Sequence, residues 1–176
     1  MIFPAQTSRL VLRAWREDDF DAFAAMNADP RVMEYFPAPL TREESAAFFG
    51  HIRAEFQTEG FGLYAVERIS DGSLLGYTGL HRVTFDGLCG QIEIGWRLRT
   101  DAWGNGYAPE AAQACLTHAT KLGIEEIIAF TAVANLRSCK KSAWSAWASS
   151  TTLPCRKDIP CGGMCSTGSE SRDRFR

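Results

Sequence analysis

Ile92-Glu93-Ile94-Gly95-Trp96-Arg97-Leu98, then Trp103-Gly104-Asn105-Gly106-Tyr107-Ala108-Pro109-Glu110-Ala111-Ala112, reads as a strand, a glycine turn and the opening of a helix. Ile92, Ile94 and Trp96 alternate with Glu93, Gly95 and Arg97, the period of a strand with two unlike faces. Gly104 and Gly106 carry no Cβ, so the chain can turn tightly and a ligand can lie against its N–H groups. Pro109 suits a first helical turn, where a missing N–H is harmless, and Glu110 suits the positive end of the helix dipole. A helix start behind such a turn is an anion site, most often for phosphate.

Outward from this stretch the chain alternates strand and helix patterns. Arg9–Trp15 is a first strand. Asp18 or Asp19 caps a helix running to about Asn27, with Phe20, Phe23 and Ala24 on one face. Thr41 and Glu44 form a capping box. The helix behind it carries Phe48 or Phe49, Ile52 and Phe56 at helical spacing and ends at Gly60. Pro30, Pro37 and Pro39 make the segment between these helices irregular, and Tyr35 and Phe36 there pack or wall a cleft. Phe61–Ile69, a Ser70-Asp71-Gly72-Ser73 turn and Leu74–Val83 form a hairpin, and Cys89–Leu98 follows after a second turn. Three strands in succession predict an antiparallel meander. Ala108, Ala111, Cys115, Ala119 and Leu122 share one face of the next helix, which stops at Gly123. Ile124–Val133 is a strand apolar enough to be buried on both sides.

The chain has 176 residues, 45% hydrophobic and 23% charged, which suits one domain with a sizeable core. A net charge of −2 argues against nucleic acid and anionic membranes as partners. No apolar run approaches the ~18 residues of a span, and the N-terminus lacks a basic-then-apolar leader pattern. The expected compartment is the cytoplasm, with reduced thiols. Residues 139–176 break the pattern, carrying +4 against −6 for the rest, four of the six cysteines, and one Leu, one Ile, one Phe and no Val. That is too little apolar material for core elements. Zinc ligation there lacks a C-x2-C pair and has no His after His118, so no metal is expected. Cys89 and Cys115 read as small core residues.

The glycine turn allows several ligands. A Walker loop needs a Lys after the last glycine, and Tyr107 stands there instead. A dinucleotide fingerprint wants Gly or Ala at Pro109 and an acid at the end of the next strand, whereas Glu125 and Glu126 open it. A cradle for the pyrophosphate of coenzyme A fits strand, turn and helix together. A tight turn without a ligand is the bland alternative.

Residues 7–138 resemble the GNAT N-acetyltransferases, specifically the ribosomal-protein-alanine acetyltransferase-like branch. The matching text is Thr7-Ser8-Arg9-Leu10-Val11-Leu12-Arg13, Leu75-Gly76-Tyr77-Thr78-Gly79-Leu80, Glu93-Ile94-Gly95-Trp96, Trp103 to Ala111, and Asn135-Leu136-Arg137-Ser138. The resemblance implies an α/β fold with a mixed, mostly antiparallel sheet, helices on its faces and a central strand pair that splays. It implies that acetyl-CoA binds along Ile94, Gly95, Trp96 and Arg97. The N–H groups of Trp103, Gly104, Asn105, Gly106, Tyr107 and Ala108 would hold its pyrophosphate, with Asn135 on the pantetheine arm. Ser138 matches a residue near the thioester sulfur, where a hydroxyl can protonate the leaving thiolate. Asp101 stands where the family pattern has Arg or Gln, with Arg97 and Arg99 near in sequence.

The implied reaction moves an acetyl group to a primary amine, a protein N-terminus or a small molecule, by direct attack. The family leaves a homodimer open. Glu93 is the candidate base, because a carboxylate within an apolar strand needs a reason; the alternatives are a solvent-facing side chain or a pair with Arg82. A backbone N–H near Trp96 can polarise the carbonyl. His81 beside the cleft reads as structural, His51 and His118 as surface or packing, and Tyr107 as packing or a proton donor.

After Ser138 the family has another helix and a closing hairpin. Codons for Leu153–Gly168, read from each third base from Pro154 on, can spell L-P-E-G-H-P-L-R-R-H-V-L-Y-R, and the same frame from Cys139 can spell Q-K-V-G-M-E-R-L-G. Both match that ending. Residues 139–176 are therefore read as an out-of-frame tail on an incomplete acetyltransferase domain of residues 1–138. The competing function is a non-catalytic or degenerate acyl-CoA-binding protein.

Overall fold

The computed structural model describes residues 5–84, 88–129 and 135. Five strands, β1 (Ala5–Gln6), β2 (Leu10–Arg13), β3 (Leu63–Arg68), β4 (Leu74–Arg82) and β5 (Ile92–Leu98), lie side by side in chain order, each antiparallel to the next. Helices α1 (Phe20–Ala28) and α2 (Arg42–Glu59) separate β2 from β3, and α3 (Tyr107–Lys121) follows β5. The predicted meander is β3–β4–β5. Beyond it, Glu93 forms one parallel bridge with Ile128, where Ile94 N–H donates to Ile128 at 2.9 Å and Ile128 N–H donates to Ile92 at 2.8 Å. The rest of the expected last strand, the splay, the tail and Ser138 lie outside the described residues.

Local chemistry sets the ends of these elements. Thr41 Oγ1 accepts from Glu44 N–H while the Glu44 carboxylate accepts from Thr41 N–H, so the capping box forms at α2. Gly60 closes the helix at φ 74°, a conformation that favours glycine. The aspartate cap expected for α1 does not form. Asp19 instead binds the Arg13 guanidinium with both oxygens, at 2.7 and 2.8 Å, and accepts from Arg16 N–H at 2.7 Å. A buried guanidinium attracts the carboxylate more strongly than an open helix end does.

The sheet alternation sorts the core. Leu80 and Ile94 are buried toward α3, along with Ala111, Cys115, Leu116 and Ala119. On the other face, Trp15, Phe23, Phe49 and Tyr77 pack ring against ring, with Phe20 and Phe48 at their edge. Rings edge-on at these separations add ~0.5–1.5 kcal/mol per pair beyond the area buried. Two expectations fail at the margins. Leu122 is exposed because α3 stops one residue before it, and Cys89 is exposed on a turn rather than in the core.

Candidate active site

The candidate residues of strand β5 lie on the face turned to α1 and α2. Its register with β4 pairs Glu93 with His81, Gly95 with Gly79 and Arg97 with Tyr77. Glu93 is 7% exposed, and its Oε2 lies 2.7 Å from His81 Nε2. Sequence reasoning weighed Arg82 as its partner. Arg82 instead holds Glu59, at the end of α2, at 2.6 Å. A second carboxylate, Glu55 of α2, approaches from above and accepts from Arg82 N–H at 2.9 Å. Burial pushes the Glu93 carboxyl up, against the pull of His81. Burial also works against a charge on His81, but the bond to Glu93 and the field of Glu55 outweigh it and raise the imidazole. Both groups are thus raised and bonded to each other, an arrangement that suits a proton acceptor.

Gly95 is bare above. A Cβ there would meet only the His81 ring, at 3.9 Å. Beyond it, the Arg97 side chain turns toward α1, where Nη1 donates to Asn27 Oδ1 at 2.6 Å. Phe36 covers the guanidinium at 4.1 Å, with Tyr77 at 5.4 Å and Phe48 at 5.9 Å. Arg97 therefore offers only its backbone to the side of the glycine turn. Ile94 N–H donates outward to Ile128 rather than to β4, so by the alternation of an antiparallel strand the N–H of Trp96 lies on the same outer edge.

The glycine turn takes the expected form. Gly104 and Gly106 have φ of 77° and 76°, and α3 starts behind them with no side-chain cap. Among the described residues, the backbone N–H groups of residues 104–108 find no protein acceptor. Nothing lies within 4 Å of a Cβ built on Gly104, and the Trp103 ring, held by Nε1 donating to Leu98 at 2.8 Å, is half exposed beside it. Open space, unpaired N–H groups and a helix N-terminus fit a pyrophosphate.

The basic group beside this turn is one that sequence reasoning did not assign. Arg99 is bound to Asp101 at 2.6 Å, which neutralises the acid in the family's basic position. Arg9 reaches across from the start of β2 instead. Its Nη1 donates to Asn105 O at 2.9 Å, its Nη2 lies 2.5 Å from Glu110, and its guanidinium stacks 4.7 Å from Tyr107. Thr7 and Ser8 also donate to Glu110, at 2.6 and 3.1 Å. Burial pushes the Glu110 carboxyl up, but these bonds outweigh it and hold it below the usual range. The available signal was the polar triplet Thr7-Ser8-Arg9 together with an acid in the first turn of a distant helix. Asn135 is half-buried, and Tyr107 packs at the edge of the core.

Residues 9–142 match the acetyltransferase (GNAT) domain family, and the chain belongs to that family. It is 30% identical over 135 residues to the uncharacterized N-acetyltransferase YnaD of Bacillus subtilis, covering 75% of each chain. It is 29% identical over 113 residues to the uncharacterized protein YkkB of the same organism, covering 64% of this chain and 65% of that protein's length. A solved acetyltransferase from Agrobacterium tumefaciens superposes with a TM-score of 0.72 at 27% identity, covering 80% of this chain and 81% of that one. RimL, a ribosomal L7/L12 α-N-protein acetyltransferase solved with coenzyme A, shares the fold with a TM-score of 0.62 at 20% identity, covering 77% of each chain.

Proposed function

We propose that this protein transfers an acetyl group from acetyl-CoA to a primary amine, by direct attack and with no covalent enzyme intermediate. The observation that carries the reading is Glu93, a buried carboxylate paired with His81 and two residues before bare Gly95, on the strand that leads into the glycine turn. Bound acetyl-CoA supplies the thioester and the leaving thiolate. Gly104 to Ala108 hold its pyrophosphate through backbone N–H groups, with Trp103 and Arg9 at the rim. Ile94, Gly95, Trp96 and Arg97 present the backbone along which the pantetheine arm lies, and Asn135 meets the arm. Trp96 N–H polarises the carbonyl. Glu93 accepts a proton from the amine as its nitrogen bonds the acetyl carbon and the C–S bond breaks. Ser138, outside the described residues, gives a proton to the sulfur.

The proposed domain is residues 1–138, in the branch that acetylates protein N-termini, acting in the cytoplasm and able to form a homodimer. The nucleotide sequence tests the reading of residues 139–176 as out of frame: codons unable to spell the family ending in the shifted frame defeat it. Free thiol released from acetyl-CoA across a panel of peptide and small amines tests the function, with release expected from wild type and lost in Glu93→Gln. Coenzyme A binding without turnover would make it a non-catalytic acyl-CoA-binding protein. NAD binding without coenzyme A binding would return it to the dinucleotide reading.

A further inference from the structure

Arg97 is 8% exposed, yet among the described residues its guanidinium makes one hydrogen bond, to a neutral amide, and no ion pair. Its Nε and the neighbouring Asn27 Nδ2 are both buried with no acceptor. Buried donors without acceptors are rare in folded proteins, and a buried guanidinium without a carboxylate rarer still. The rings around it offset part of the charge but accept no N–H in the plane of the guanidinium. Its cover is Phe36, a 42% exposed ring in the proline-bounded segment between α1 and α2. Glu93, Gly95 and Arg97 share one face of β5, and the glycine between them leaves an open strip. Four residue steps along the strand set the Cα atoms of Glu93 and Arg97 roughly 13 Å apart, the reach of a short extended peptide.

We infer that Arg97 and Asn27 form an anion subsite for the acceptor, so that the preferred amine carries a carboxylate one to three peptide units away. The inference rests on the transferase reading above and names the substrate class. With the amine at Glu93, the chain of the acceptor crosses Gly95 and its carboxylate takes the donors of Arg97 and Asn27, displacing Phe36. Both a side-chain and a terminal carboxylate satisfy this chemistry.

The test compares matched acceptors by thiol release. One arm sets tripeptide amides with Glu at the second or third position against their Gln counterparts. The other sets tripeptides with a free C-terminal carboxylate against their amides. Wild type is expected to favour the acid in at least one arm by about 10–100-fold in kcat/KM, the size of one charge-assisted hydrogen bond, and chiefly through KM. The arm that responds identifies the source. Arg97→Gln should bring the ratio close to one. Asn27→Asp is nearly isosteric and gives the guanidinium an internal carboxylate; it should fold at least as stably as wild type and also erase the preference. It serves if Arg97→Gln does not fold. Turnover indifferent to the carboxylate in both arms, or a preference that survives in folded Asn27→Asp, overturns the inference alone. An Arg97→Gln that slows acid and neutral acceptors equally marks a structural arginine and also overturns it. No thiol release from any amine defeats the transferase reading and this one with it.

Discussion

Arg13 on β2 and Arg97 on β5 are buried to nearly the same depth, 9% and 8% exposed, and are treated in opposite ways. Arg13 is enclosed by acids. Asp19 binds it with two oxygens, Glu67 lies 2.7 Å from its Nε, and Ala14 O accepts a fourth bond at 3.1 Å. Arg97 has an amide oxygen and three aromatic rings. Both charges had to leave water, so the difference lies in what each region completes for itself. The Arg13 cluster is finished, joining β2 to β3 and to the turn before α1. The β5 face is unfinished: Glu93 is bonded to His81, Gly95 is bare, and among the described residues Arg97 Nε has no acceptor. Closed charge clusters serve the fold, and open ones are where a ligand completes the chemistry.

The comparison breaks first at Glu93. Glu93→Gln removes the proton acceptor and is expected to lower kcat for thiol release by roughly 10²–10⁴-fold, the usual span for a general base. A fold that stays cooperative in urea separates this loss from damage to the structure. A Glu93→Gln enzyme with unimpaired kcat would move the β5 face into the same structural class as Arg13.

Asp19→Ala should do the reverse. It leaves the Arg13 charge half compensated in the core and is expected to cost about 3 kcal/mol in urea unfolding, at the lower end for a broken buried pair because Glu67 remains. The surviving folded protein should keep its acid-over-amide preference.

The two regions also face opposite ends of the pH scale. Burial works against ionised Asp19, but its bonds with Arg13 and Arg16 N–H outweigh it and hold the carboxyl below its ordinary 3.8. Its stabilisation is therefore complete above 3.8 and lost as pH falls through the folded value. Glu93 and His81 are both raised in the fold, from 4.5 and 6.5. Their contributions are present below those values and lost as pH rises through the folded ones. Urea midpoints of wild type against His81→Gln should converge as pH rises above 6.5, while wild type and Asp19→Asn should converge as pH drops below 3.8. A His81→Gln gap that widens with rising pH would mean that the imidazole is not the charged partner. The smallest effect belongs to a control remote from both regions. Thr41→Ala removes the α2 cap and should cost about 1 kcal/mol in stability with thiol release unchanged.

Much of the fold was legible because its signals are local. The Thr41/Glu44 box, Gly60, the alternation in β5 and the Gly104–Gly106 turn each depend on a few adjacent side chains and the conformations they permit. The strand at the chain's second turn was read too long, since Cys89 lies in a turn and β5 begins at Ile92. Asp19 was read as a cap because its competitor, Arg13, is a partner only once β2 has turned back over α1.

The sequence by itself determined the order of elements, the glycine turn and the presence of an unexplained carboxylate in an apolar strand. These follow from periodicity and backbone stereochemistry, which act over a few residues. Tertiary structure alone decided that Glu93 meets His81 rather than Arg82, that Arg9 rather than Arg97 or Arg99 attends the glycine turn, and that Arg97 is buried with no acid beside it among the described residues. Each depends on strand register and on which face a side chain takes. In a sheet, a shift of one residue reverses that face, and no local pattern contains the register of two strands joined through a distant turn.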